Sequence, residues 1–175
     1  MKRRYITLGT IDGTLIALGV VTATCQFANI HLTIVAAAAG VLSSALSNGF
    51  GAYVAESAVA GEELSEYARH MVVSSLTSTA VGRAYRSRIH ADAATMGASV
   101  LLGASVPLLP VMLLGPSLFS TSIAIALTLV MLFSLGACTG GRNKRGLVLM
   151  GVRTALLGLI VALLAWGIGE ILAYS

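Results

Sequence analysis

The stretch LVLMGVRTALLGLIVALLAWGIGEILA at residues 147–173 decides the fold class of this chain. Only two of its residues are charged, Arg153 and Glu170. A helix rises about 1.5 Å per residue, so this stretch is long enough to cross the roughly 30 Å hydrocarbon core of a bilayer. Backbone groups in hydrocarbon must bond to one another, and a helix satisfies that requirement. The stretch is therefore interpreted as a transmembrane helix.

Four more apolar stretches lie upstream, at about residues 5–27, 32–54, 93–114 and 117–137. The composition agrees with them, because 57% of the 175 residues are hydrophobic and only 10% are charged. A soluble domain carries roughly 25% charged residues and could not cover its surface with so few. The sequence thus predicts an all-α integral membrane protein with five transmembrane helices, multi-pass, in the cell membrane if the source is prokaryotic.

The N-terminus has a second interpretation. Three basic residues followed by an apolar run resemble a signal peptide, and the run ends near Cys25, a candidate for lipidation. Asp12 early in the run and Thr24 directly before Cys25 fit that interpretation poorly. The run is also long enough to span the membrane by itself.

The basic residues predict the orientation. With the N-terminus in the cytoplasm, all eleven Lys and Arg residues fall on or near the cytoplasmic side, at positions 2–4, 69–88, 142–145 and 153. Short cytoplasmic loops carry such an excess, so the N-terminus is predicted inside and the C-terminus outside. The net charge of +4 is then a consequence of topology, and no nucleic-acid partner is expected.

The chain divides into residues 1–55 with helices 1 and 2, a cytoplasmic helical loop at 56–92, and residues 93–175 with helices 3 to 5. The loop is interpreted as a short metal-binding region. Its candidate ligands are Glu56, Glu62, Glu63, Glu66, His70 and Met71. Glu62, Glu66 and His70 share one face of a helix continuing from span two, and carboxylates with an imidazole suit divalent transition metals. The alternative is that these charges only solvate a helix.

Asp12 is the most informative residue inside a span. A carboxylate there costs several kcal/mol (roughly 2.5–3.5 on insertion scales) and usually marks a pathway or has a partner. Asp12 lies seven residues after Tyr5, and Asn48 lies eight residues before Glu56 on the returning helix, so the two are predicted at similar depth. Ser44 and Ser47 add hydroxyl groups nearby. The alternative is that Asp12 is interfacial.

Several runs of sequence resemble the vacuolar iron transporter family. The similar segments are Asp12-Gly13, residues 45–53 (ALSNGFGAY), residues 103–110 (GASVPLLP) and the Gly151-Val152-Arg153 start of span five. The resemblance implies a five-span homodimer with the ion path between subunits, and proton-coupled export of ferrous or manganous ions. It also implies that Asp12 is the pathway carboxylate. The chain departs from plant members at Asn48, where they have methionine, and at Gly40, where they have glutamate. Residues 72–89 of the loop contain no acid, whereas the family's metal-gathering domain is longer and more acidic.

The predicted function is therefore membrane transport of Fe²⁺ or Mn²⁺, as proton-coupled export from the cytoplasm. The expected partners are a second copy, the bilayer, divalent metal ions and protons, with no permanently bound cofactor. No nucleophile motif, phosphate loop or CxxC pair is present, so no enzyme activity is expected. Two alternatives remain open: a non-transporting scaffold or metal-sensing protein that retains the fold, and a transporter of another solute.

Overall fold

The structure, a computed structural model, describes residues 2–27, 29–71, 77, 79–140 and 144–173. Five α-helices occur in these ranges, and a 3-10 turn at Cys25–Phe27 follows the first. They are α1 (Lys2–Thr24), α2 (Ile30–His70), α3 (Ala80–Leu114), α4 (Leu118–Thr139) and α5 (Lys144–Ala173). Each is long and apolar enough to cross a membrane, which confirms the predicted all-α, five-helix fold class.

The helices α2 and α3 are longer than the spans predicted for them. A helix continuing from span two was predicted, but α3 also begins at Ala80, well before the predicted membrane boundary at residue 93. We call residues 56–70 the α2 extension and residues 80–92 the α3 extension. Leu64, Ala68 and Ile89 are buried there, so the extensions bury apolar side chains of their own. The apolar pattern of the sequence indicates only the part of each helix that crosses the membrane. The ends of α2 and α3 are determined by tertiary packing instead.

The central helix is α1, which contacts all four other helices. It runs parallel to α3 at very close range: a Cβ on Gly13 would lie 1.9 Å from the Val100 carbonyl oxygen. A Cβ on Gly103 would lie 2.1 Å from the carbonyl oxygen of Thr10. In lipid there is no hydrophobic driving force for helix association, and glycine favours it by letting two helix backbones approach closely. The hydroxyl of Thr14 adds a hydrogen bond of 3.0 Å to the Gly103 carbonyl.

The helices α1 and α5 begin, and α4 ends, at the same end of the bundle. We call it the basic end, and its described basic residues are Lys2, Arg3, Arg4, Lys144 and Arg145. Tyr5 near the start of α1 donates a hydrogen bond to Glu56, so the α2 extension projects beyond this end by about 20 Å. Arg142, which also supported the predicted orientation, lies outside the described residues.

The turn from α3 to α4 has the predicted location at Gly115 and Pro116. Gly115 has a φ of 75°, a left-handed conformation that glycine adopts without strain. Ser117 then caps α4, because its hydroxyl accepts from the Ser120 amide at 3.1 Å while the Ser120 hydroxyl accepts from the Ser117 amide at 3.1 Å. This reciprocal capping box begins α4 directly after the turn.

Candidate ion site between the first two helices

Asp12 faces α2 because of the way α1 is fixed against α3. Gly13 lies against α3. Because successive residues of a helix are rotated by about 100°, the side chain of Asp12 points away from α3 and toward the neighbouring α2. There the Ser44 hydroxyl donates to Asp12 Oδ2 at 2.5 Å. The Asn48 amide donates to the same oxygen at 2.7 Å and to Ser44 Oγ at 2.8 Å. The prediction that Asp12 and Asn48 lie at similar depth is confirmed.

The three side chains leave acceptor atoms open. Within the described part of the chain, Asp12 Oδ1 accepts no hydrogen bond, and neither does the amide oxygen of Asn48. Asp12 and Asn48 are half-buried, so these oxygens are accessible from the side of the bundle. A carboxylate oxygen and an amide oxygen on neighbouring helices are suitable ligands for a small cation. Ser47, also predicted here, is exposed and takes no part in the hydrogen-bonded cluster.

The acids of the α2 extension do not form one cluster. Glu56 accepts from the Tyr5 hydroxyl, and Glu63 accepts from the Tyr85 hydroxyl at 2.8 Å. That second hydrogen bond raises the pKa of Tyr85 and links the α2 extension to the α3 extension. Each of these carboxylates is therefore tied to a tyrosine of another helix.

Glu62, Glu66 and His70 line an open surface cavity of about 770 Å³ on the α2 extension. Glu66 and His70 are both exposed, and His70 Nε2 lies 4.0 Å from Glu66 Oε1. Met71 is exposed and caps the end of α2. Among the described residues, no group of three or more His, Cys, Asp and Glu side chains is arranged to hold a metal ion. Metal binding by these residues stays a prediction.

Comparison with known proteins agrees with this architecture. The sequence model of the VIT family matches residues 60–170 of the chain. The chain belongs to the VIT family. It is also 31% identical over 171 residues to an uncharacterized protein of Methanocaldococcus jannaschii, an alignment that covers 93% of this chain and 86% of that one. The resemblance noted in the sequence is confirmed, and the protein is an integral multi-pass membrane protein.

VIT proteins are a transporter family, so the coarse assignment of this member as a membrane transport protein follows from its sequence. The family match begins in the α2 extension and ends near the end of α5. Asp12, Ser44 and Asn48 precede the matched range. The candidate ion site of this VIT-family protein therefore rests on the geometry between α1 and α2.

One carboxylate of this VIT-family protein was not predicted as a site residue. Asp92 is only 1% exposed, and neither of its oxygens has a hydrogen-bond partner among the described residues. The Nε of Arg88 lies 3.8 Å from Asp92 Oδ2, beyond hydrogen-bonding distance. The spacing of Ile89, Asp92, Met96 and Val100, at steps of three and four, was the signal that Asp92 lies on the buried face of α3.

Proposed function

We propose that this VIT-family protein transports divalent transition-metal cations, iron or manganese, across the membrane, with Asp12 as the ion ligand. The observation that supports it most is the cluster of Asp12, Ser44 and Asn48 inside the membrane-spanning part of α1 and α2. An ionisable residue in a span is costly and is usually retained for an ion or proton pathway. The open oxygens of Asp12 and Asn48 would hold the cation between the two helices.

The same carboxylate would couple metal movement to protons. A carboxylate must release its proton before it binds a metal, so metal affinity at Asp12 depends on pH. A site that exchanges one cation for protons is the physical basis of antiport. We propose export from the cytoplasm, with the basic end on the cytoplasmic side as the positive-inside rule favours.

A homodimer is part of the proposal. Beside the half-buried Asp12 site, α2 presents the exposed Ser47, and further round the same helix Leu46 and Phe50 are 75% and 68% exposed. A second copy packed on the side of α2 that carries Ser47 would shield the site from lipid and supply the other wall of a path. The Ser47 hydroxyl would then face the path between subunits.

The decisive experiment is metal flux into liposomes that contain the purified protein and a metal-quenched chelating dye. We expect the wild type to move Fe²⁺ or Mn²⁺, tested beside Zn²⁺, Co²⁺ and Ni²⁺. Asp12→Asn preserves the shape of the side chain and removes its charge, so flux should fall to that of protein-free liposomes. The variant should remain folded, as judged by circular dichroism and gel filtration.

Glu170 provides a matched control. It is the other carboxylate inside a predicted span, near the opposite end of the bundle, and it also pairs with an amide: Gln26 Nε2 donates to Glu170 Oε2 at 3.0 Å. Glu170→Gln should therefore retain flux. Full transport by Asp12→Asn would contradict the proposed site, and absence of flux in the wild type would favour the non-transporting scaffold or sensor.

A further inference from the structure

A second cavity lies at the basic end, between the start of α1 and the end of α4. Its volume is about 760 Å³, within the range of small-molecule sites, and we call it the α1–α4 cavity. It is lined by Arg3, Arg4, Ile6, Thr7, Leu8, Ile11, Cys138 and Thr139. None of these residues belongs to the cluster around Asp12.

The charge at this cavity is positive, because its described lining includes two arginines and no acid. Arg3 and Arg4 are exposed, and neither forms an ion pair with a described residue. The first turns of α1 and α5 and the last turn of α4 contain no acid. The Arg4 guanidinium lies 5.4 Å from the centre of the Tyr5 ring, a contact that restrains the side chain. An anion bound here would meet two arginines and the positive end of the α1 dipole.

Apart from Thr7 and Thr139, the remaining wall of the cavity is apolar. Ile6 and Leu8 are 46% and 52% exposed, and Ile11 continues the wall toward the middle of the bundle. Arg4, Leu8 and Ile11 are spaced i, i+4 and i+7, so one face of α1 is charged at its end and apolar further in. A free anion would leave the apolar wall uncovered, and a hydrocarbon chain alone would leave the arginines unpaired. A molecule with an anionic head and an acyl chain covers both.

We propose that the α1–α4 cavity binds one anionic glycerophospholipid, with its phosphate on Arg3 and Arg4 and an acyl chain along Ile6, Leu8 and Ile11. Basic pockets between transmembrane helices take anionic head groups in this way. The guanidinium fork of arginine also matches phosphate geometry with two hydrogen bonds. The site is independent of the transported ion, because Ile11 faces this cavity whereas Asp12 faces α2.

Native mass spectrometry of the purified protein in detergent tests the proposal directly. The protein is titrated with phosphatidylglycerol and, separately, with phosphatidylcholine of the same acyl chains. We expect selective retention of one phosphatidylglycerol by the wild type. In the double variant Arg3→Gln/Arg4→Gln the affinity should fall by about tenfold or more, since both basic residues that attract the anionic head group are lost.

The matched control is Lys144→Gln/Arg145→Gln, which removes two charges from the same end without touching the cavity lining. It should retain phosphatidylglycerol as the wild type does. Thr139→Glu, which adds a carboxylate to the cavity with both arginines intact, should weaken binding. Equal retention of the two lipids by the wild type, or an equal loss in both double variants, would overturn the proposal in favour of diffuse surface charge.

Cys138 can report whether a lipid occupies the cavity, because it lines the cavity and is exposed, whereas Cys25 is buried. In liposomes, the labelling of Cys138 by a thiol reagent should be several-fold slower with phosphatidylglycerol than with phosphatidylcholine. Arg3→Gln/Arg4→Gln should abolish that difference. Displacement of the lipid by an equal concentration of glycerol phosphate would show an anion site without an acyl chain, which also overturns the proposal.

Discussion

Asn48 lies where it would be the second ligand of a cation bound between α1 and α2. Its amide nitrogen donates to Asp12 Oδ2, while its amide oxygen stays available within the described part of the chain. An amide oxygen is a hard ligand, and a thioether is a soft one, so the identity of residue 48 should influence which metal the site prefers. Ser44 bonds to both partners and holds them in register.

Substitution of Asn48 should therefore change selectivity without abolishing transport. Asn48→Ala removes the second ligand and a donor to Asp12, and the apparent affinity for metal should fall by about tenfold. Asn48→Met should shift the preference from Mn²⁺ toward the softer Fe²⁺. Flux assays with both metals, at several concentrations, measure the two effects. An unchanged ratio of Fe²⁺ to Mn²⁺ in Asn48→Met would argue that residue 48 does not contact the ion.

The surroundings of Asp92 are the opposite of those of Asp12. Asp12 has partners and partial exposure, whereas Asp92 is buried with no hydrogen bond among the described residues. A buried carboxylate without a hydrogen bond reduces stability, and natural chains retain such groups chiefly at functional positions. Its place on α3 is level with Tyr5 on α1, since Gly9 meets Met96 and Gly13 meets Val100 in the same register. Asp92 therefore lies at the basic end of the bundle, at the depth of Tyr5.

At the scale of elements, the contact between α1 and α3 brings two helix backbones directly together. Gly9, Gly13 and Gly103 each leave no space for a Cβ against the backbone or a Cβ of the other helix. Such contacts fix both the distance and the rotation of α1. The direction of Asp12 depends on that rotation.

Gly13→Ala should push α1 away from α3, because the added Cβ would lie 1.9 Å from a backbone oxygen that cannot move aside cheaply. We expect a loss of about 2 kcal/mol or more in unfolding free energy, with a lower melting temperature in detergent. Gly19→Ala on the same helix is the control, since its Cβ would meet Val161 at an ordinary 3.6 Å. Similar melting temperatures for both variants would contradict this account of the contact.

The sequence predicted the parts of the structure that depend on regular geometry. The constant rise of a helix was enough to place Asp12 and Asn48 at one depth, and the hydropathy pattern was enough to count the spans. The sequence could not identify Gly13 and Gly103 as the residues of the tight contact, because small residues recur at helical spacing along several of the helices. The burial of Asp92 was also missed, since the predicted third span began at residue 93 whereas α3 begins at Ala80.

At the scale of the whole molecule, charge and topology are linked. His70 lies 4.0 Å from Glu66 and Arg88 lies 3.8 Å from Asp92, and both contacts are in the extensions. The basic residues of α1 and α5 lie at the adjacent end of the bundle, which the positive-inside rule assigns to the cytoplasm. Both extensions would then be cytoplasmic, and the end of α5 would be external.

Single cysteines test this orientation in a background that lacks Cys25 and Cys138. Ser65→Cys on the α2 extension and Ala173→Cys at the end of α5 are both at exposed positions. In intact cells an impermeant thiol reagent should label Ala173→Cys, while Ser65→Cys should be labelled only after permeabilisation. Labelling of both from one side would rule out five spans, and the reversed pattern would invert the orientation.

The interlocked glycines of α1 and α3 also determine which parts of the molecule can move. Two helices whose backbones touch without intervening side chains behave as one rigid body, since sliding would force backbone oxygens into Cα atoms. The interface of α1 with α2 at Asp12 is different, because it is held by exchangeable hydrogen bonds among three polar side chains. Opening of the proposed ion site would therefore break the hydrogen bonds between α1 and α2 and leave the contact of α1 with α3 intact.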